Sequence, residues 1–284
     1  MIDDITQQLF SDKPGDTLYH YTSLSGLLGI VDTQVLRASD IRYMNDSVEL
    51  RHTLDLLSSH IRGRIRVGTD HPELLTKLLD WLSSRVTGGP MLFGASFRAN
   101  GNLLSQWRGY SAHGKGVSLG FRPEDIRQCA DRQGFQVARC IYDSTAQQTL
   151  IERIVDAVET MASTPGVEGR ETFFEVIEGR LLSIAAVLKH PSFEEEQEWR
   201  IVSPVIQRLE DHPIHFREGT SMLVPYFAFS LRTEADTNMR LEHVYLGPTS
   251  NIDQSLNSLR LYLQRSGVGP RQGISYCQIP YRQR

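Results

Sequence analysis

Between Ser192 and Ser203 the chain reads Ser-Phe-Glu-Glu-Glu-Gln-Glu-Trp-Arg-Ile-Val-Ser, four carboxylates in front of an apolar run, and no other stretch restricts the fold so tightly. If its second half is a strand, side chains alternate between faces, so Glu196, Glu198 and Arg200 share one face and Gln197, Trp199 and Ile201 the other. One face must meet a core and the other must meet charge. Glutamates two apart on a strand lie about 6.5 to 7 Å apart and repel unless a cation stands between them. A solvated acidic turn leading into an edge strand is the other reading such a charge run allows.

The segments before it mix two periods. Leu18 to Thr22 is aromatic and β-branched, which predicts a strand holding His20, and Ser23 follows as the cap of a helix through Val31. Val35 to Ala38 is a second extended piece, and Ser39 to Ser47 a polar loop. Two amphipathic helices follow, one on Leu50, Leu54, Leu57 and Ile61 and one starting at Pro72. Met91–Phe97, Gly116–Phe121 and Phe135–Tyr142 read as strands. Between the first two, Leu103 to Lys115 reads as a helical turn delivering Trp107, Arg108 and Tyr110 to a pocket wall, although each aromatic taken singly fits a core position. A helical pair fills about 145–190. Strands are then expected near Ile214–Arg217, Leu223–Phe227, Glu242–Gly247 and Ile274–Ile279, with a helix on Ile252, Leu256, Leu259 and Leu263. Strands interrupted by helices without regular alternation indicate one α+β domain over 1–284, built on a mostly antiparallel or mixed sheet.

With 284 residues and a net charge of −4, the chain can bury a full core and does not grip nucleic acid over its whole surface. It has no apolar run long enough to span a bilayer and no signal core, so a cytoplasmic protein without membrane association is expected. Cys129, Cys140 and Cys277 form no CxxC, which predicts reduced thiols. P-loop, GxGxxG, GxSxG and HExxH signatures are absent. His212 and His215 lack a carboxylate partner in register, so no metal site is expected.

The order Leu-Tyr-His-Tyr-Thr-Ser, Met-Asn-Asp-Ser-Val-Glu, Ser-Gln-Trp-Arg-Gly-Tyr, Gly-Lys-Gly-Val-Ser-Leu-Gly-Phe, Glu-Gln-Glu-Trp-Arg-Ile-Val and Val-Tyr-Leu-Gly-Pro resembles the bacterial DUF2971 family from about Leu18 to Ile279. A strand histidine, a mid-chain tyrosine and an E-x-E strand are also distantly similar to the His-Tyr-Glu arrangement of DarT-like and diphtheria-toxin-like ADP-ribosyltransferases. That second resemblance implies an ADP-ribosyltransferase-like fold and NAD as substrate. It implies that Glu198 offsets the positive charge of an oxocarbenium-like ribose, while Glu196 orients or deprotonates the acceptor. His20, flanked by Tyr21 and Thr22, would grip ribose, and Tyr110 or Trp107 would stack on nicotinamide. Arg37 and Arg108 are candidate diphosphate partners, and Asn45 and Asp46 a loop for the acceptor.

These expectations describe a transferase acting on a protein or nucleic acid, in toxin or phage-defence use, with an antitoxin or regulatory partner. Glu198→Gln would then abolish turnover and spare the fold. A metal-dependent nuclease built from Glu194, Glu196, Glu198 and Asp46 is one alternative. A nucleotide-sensing or partner-binding module without turnover is another.

Overall fold

The computed structural model describes residues 1–44, 47–110, 116–163, 170–219, 221–233 and 238–278. The chain is α+β. Its early part runs α1 (Ile2–Leu9), β1 (Leu18–Ser23), α2 (Leu24–Thr33), β2 (Val35–Asp40), α3 (Ser47–Val67), α4 (Pro72–Gly88), β3 (Phe93–Arg98), α5 (Leu104–Tyr110), β4 (Gly116–Phe121), α6 (Pro123–Arg132) and β5 (Gln136–Arg139). It continues with α7 (Ser144–Ala162), α8 (Arg170–Ala185), β6 (Glu198–Val202), β7 (Ile214–Glu218), β8 (Leu223–Ser230), β9 (His243–Leu246), α9 (Ile252–Arg265) and β10 (Ile274–Tyr276).

These strands form one mixed sheet in the order β10-β9-β4-β1-β3-β2-β8-β7, with β6 and then β5 branching from β3. All pairings are antiparallel except β10 with β9. The branch arises because β3 pairs with β6 from Gly94 to Arg98 on one edge, while its other edge meets β2 only at Phe93 and Gly94 and β1 only at Arg98. Beyond those ends β1 and β2 diverge, and the edge of β3 at Ala95–Phe97 faces a gap between them. At Gly120 the strands approach so closely that a Cβ would lie 2.9 Å from the His243 carbonyl on β9.

Two apolar regions support the sheet. Leu27, Ile30 and Val31 of α2, Ile126 and Ala130 of α6, and Leu259 and Leu263 of α9 pack on the inner sheet face, which includes Phe93, Phe97, Leu119 and Ile201. A separate helical core joins α1, α3, α4, α7 and α8 through Ile5, Ile61, Leu75, Val155 and Ile177. The pair α7 and α8 leaves the sheet after β5 and returns before β6, its neighbour. Helices α1 and α6 are not among the elements expected from the sequence. Pro123 at the start of α6, with Glu124 and Asp125 in its first turn, is nonetheless a helix-start signal, whereas Met1 at the start of α1 makes no side-chain cap. Ser23 does cap α2, accepting a hydrogen bond from the Gly26 N–H at 3.0 Å. The three cysteines are buried and unbridged. Among the described residues no helix is long and apolar enough to cross a membrane.

Candidate functional site

The gap between β1 and β2 is a cavity of about 590 Å³, within the size range of ligand pockets. Its walls are β1 and α2 on one side and β2 with Arg217 of β7 on the other, and Gly94–Ser96 and Arg98 of β3 form the floor. It gathers His20, Tyr21, Thr22 and Arg37. Arg37, Arg98 and Arg217 line it, Arg98 being paired with Glu196 and Glu198 behind the floor, and the described lining residues include no carboxylate. A space walled this way favours an anionic ligand.

His20 bridges the floor. Its Nδ1 lies 3.0 Å from the Ser96 carbonyl oxygen. A carbonyl only accepts, so Nδ1 carries the proton and Nε2 is the acceptor. Burial lowers the His20 pKa and the Arg98 charge lowers it further, against the opposing pull of the Ser96 bond. The ring is therefore neutral at pH 7, with one nitrogen fixed by the sheet and the other suited to accepting from a ligand hydroxyl.

The acidic stretch folds differently from a continuous strand. Pro191–Glu196 forms a 3₁₀ turn and Gln197 takes a left-handed conformation with φ 42°, so β6 starts only at Glu198. Glu196 is thus off the strand, a correction to the shared-face expectation; the left-handed residue reverses the chain just before the ladder begins. Both carboxylates nevertheless reach the same cations. Lys189 Nζ lies 2.7 Å from Glu196 Oε2 and 2.6 Å from Glu198 Oε2. Arg98 reaches them at 2.9 and 3.2 Å, and Arg200 holds Glu198 Oε1 at 2.8 Å. Trp199 and Ile201 face the core as the alternation requires.

Glu198 is fully buried, and neither glutamate lines the cavity. Burial pushes the Glu198 pKa up, but Arg200, Arg98 and Lys189 outweigh it and hold the carboxyl well below its ordinary range. Arg98 belongs to both places: it lines the cavity, pairs with both carboxylates and donates from Nε to Gln106 Oε1 at 3.0 Å.

Helix α5 brings Gln106 rather than Trp107 to the cavity, because successive helical residues point about 100° apart. Trp107 is fully buried, sits edge-on to Tyr21 at 4.8 Å and donates from Nε1 to Asn102 Oδ1 at 2.9 Å. Its surroundings are those of a core side chain. Tyr21 is itself fixed, donating from its hydroxyl to the Asn100 carbonyl and accepting from the Leu103 N–H. Arg108 is exposed and is not among the lining residues. The Tyr110 side chain and the proposed acceptor loop Asn45–Asp46 lie outside the described residues. No role for Lys189, Arg98 or Gln106 follows from the sequence. Arg98 and Lys189 each end an apolar segment, and Gln106 sits inside the Ser-Gln-Trp-Arg-Gly-Tyr motif.

Residues 106–201 match the family described as Protein of unknown function (DUF2971), from within α5 to within β6. The resemblance to this family is supported over that stretch. No curated protein and no solved structure matches the chain.

Proposed function

We propose that the cavity binds NAD and that the chain is an ADP-ribosyltransferase acting on a macromolecular acceptor, protein or nucleic acid. The observation that carries this reading is His20, neutral and held through Nδ1 so that Nε2 can accept from a ribose hydroxyl, on the floor of a cavity also lined by Arg37 and Arg217. In the transfer, the bond between ribose C1′ and the nicotinamide nitrogen breaks and its electron pair leaves with nicotinamide. The acceptor nucleophile then bonds to C1′ and gives up its proton; Glu196, the less enclosed of the pair with 11% of its side chain accessible, is the candidate to take it, and would have to reach the acceptor from beside the cavity, because it does not line it. Glu198 does not face the cavity, and its part in this reading is to hold Arg98 in place on the floor. Toxin or phage-defence use, with a partner that silences or triggers the protein, follows from the resemblance.

One observation favours a second reading, an NAD-sensing module without turnover. Glu198 is sealed from the cavity with both oxygens engaged by cations, whereas a transferring carboxylate must face the ribose. The metal-dependent nuclease gains less, since Glu196 and Glu198 are held by Lys189, Arg98 and Arg200 rather than converging on a shared space for a metal.

Nicotinamide release from NAD, measured with chelator present and with cell extract as acceptor, separates the readings. Release with label left on macromolecules supports transfer. Calorimetric NAD binding without release supports the sensing module, and neither binding nor release removes the nucleotide reading.

A further inference from the structure

Strands β2, β8 and β7 show the cavity a face whose chemistry differs sharply from their core face. Leu36, Ala38, Phe227 and Phe229 pack in the core, so by alternation Arg37, Ser39, Tyr226, His215 and Arg217 occupy the other side. The ladder sets Ser39 beside Tyr226 and Tyr226 beside His215. The Arg37 guanidinium lies over the Tyr226 ring, 5.4 Å from its centroid, and the His215 ring stacks on the same tyrosine, also at 5.4 Å. Arg217 Nη2 is 3.3 Å from Ser39 Oγ.

Arg37 and Arg217 both line the cavity. Among the described residues, neither is within ion-pairing distance of a carboxylate. They act on one another instead: burial and then the charge of Arg37 lower the pKa of Arg217. Two guanidiniums converging on one space repel, and that repulsion becomes attraction when an anion with several oxygens joins them. Planar forks held by an aromatic face and a hydroxyl are ordered before the anion arrives, which lowers the cost of binding it.

We propose that Arg37 and Arg217 are the two arms of a phosphate clamp at the β2–β7 end of the cavity, made for a diphosphate-class anion. That the diphosphate belongs to a nucleotide rests on the function proposed above; the clamp itself stands on the arginine pair. Arg217 takes the part for which the sequence offered Arg108.

The test is calorimetric titration of inorganic pyrophosphate into the full chain, comparing wild type with Arg37→Gln, Arg217→Gln and Arg108→Gln, each checked for folding by thermal melting. Wild type is expected to bind, each of the first two variants to bind about tenfold more weakly or worse, and Arg108→Gln to match wild type. If Arg217→Gln does not fold, Arg217→Lys keeps the charge without the fork, and weakened binding is again expected. Pyrophosphate that does not bind wild type, or binds a folded Arg217 variant equally well, overturns the clamp. NAD turnover with unchanged affinity in Arg217→Gln also overturns it while leaving the transferase standing. Arg217-dependent pyrophosphate binding without nicotinamide release keeps the clamp and discards transfer.

Discussion

Lys189 places one ammonium between Glu196 and Glu198, 2.7 Å from the first and 2.6 Å from the second. It comes from the segment returning from α8 to the sheet, so the helical layer and the sheet share a buried ionic contact. Removing one charge from such a cluster leaves its partners buried with less compensation. Glu198→Gln, which from sequence should spare the fold, is therefore expected to lose about 3–5 kcal/mol of stability. Denaturant midpoints check this, and Lys189→Met added to Glu198→Gln should recover part of the loss. A single variant as stable as wild type would show that the cluster does not hold the fold together.

Acid should act through the same cluster. The Glu198 carboxyl is held well below its ordinary value of 4.5, so the folded chain keeps it ionised where the unfolded chain protonates it. Its contribution is complete above 4.5 and is lost as pH falls through the lower folded value. Melting temperatures followed from pH 6 to about pH 2 should fall less steeply for Glu198→Gln than for wild type. Parallel slopes would mean that other carboxylates govern acid unfolding.

His20 has two jobs that substitutions can separate. Asparagine offers a donor near the position of Nδ1 and nothing at Nε2, so His20→Asn should keep the bond to the Ser96 carbonyl and weaken NAD binding. His20→Ala should lose both, with about 1 kcal/mol of additional destabilisation relative to His20→Asn. Because burial lowers the ring pKa, protonation should weaken NAD binding in the wild type only at pH values below the ordinary histidine range. Calorimetry and thermal melts on the two variants read these effects, and NAD bound equally by His20→Asn would remove Nε2 from the site.

Trp107 should behave as part of the core. Trp107→Phe keeps a ring against Tyr21 but leaves Asn102 Oδ1 without its indole donor, which should cost about 1–3 kcal/mol of stability and leave the NAD dissociation constant unchanged. A selective loss of NAD affinity in a variant melting like wild type would restore the stacking role.

The parts of the site carried by one local segment were legible in the chain. Period-2 patterning put His20, Tyr21 and Thr22 on a strand and Arg37 on the next, and the helix capped by Ser23 joins them across the cavity. The convergence of Glu196 and Glu198 was also readable, although the geometry behind it was not: a left-handed Gln197 has no compositional mark comparable to a glycine. Arg98, Lys189 and Arg217 stayed hidden because their roles depend on pairings between distant strands. Nothing near Phe97 or Glu218 in the chain states that β3 will lie against β6, or that β7 will share a face with β2.

Those pairings also impose an order in time. Arg98 finds Glu198 100 positions further along, and Val35 pairs with Ser230 195 positions away. Contacts so remote in sequence slow folding, since a long loop must close before the ladder rewards it. A nascent chain stopped before Arg217 can hold His20 and α2 but lacks the second guanidinium, and one stopped before Val202 lacks the strand that supports β3. The cavity wall is thus closed by strands that come late in this sequence, and its two sides can be assembled only after β6, β7 and β8 have joined the sheet.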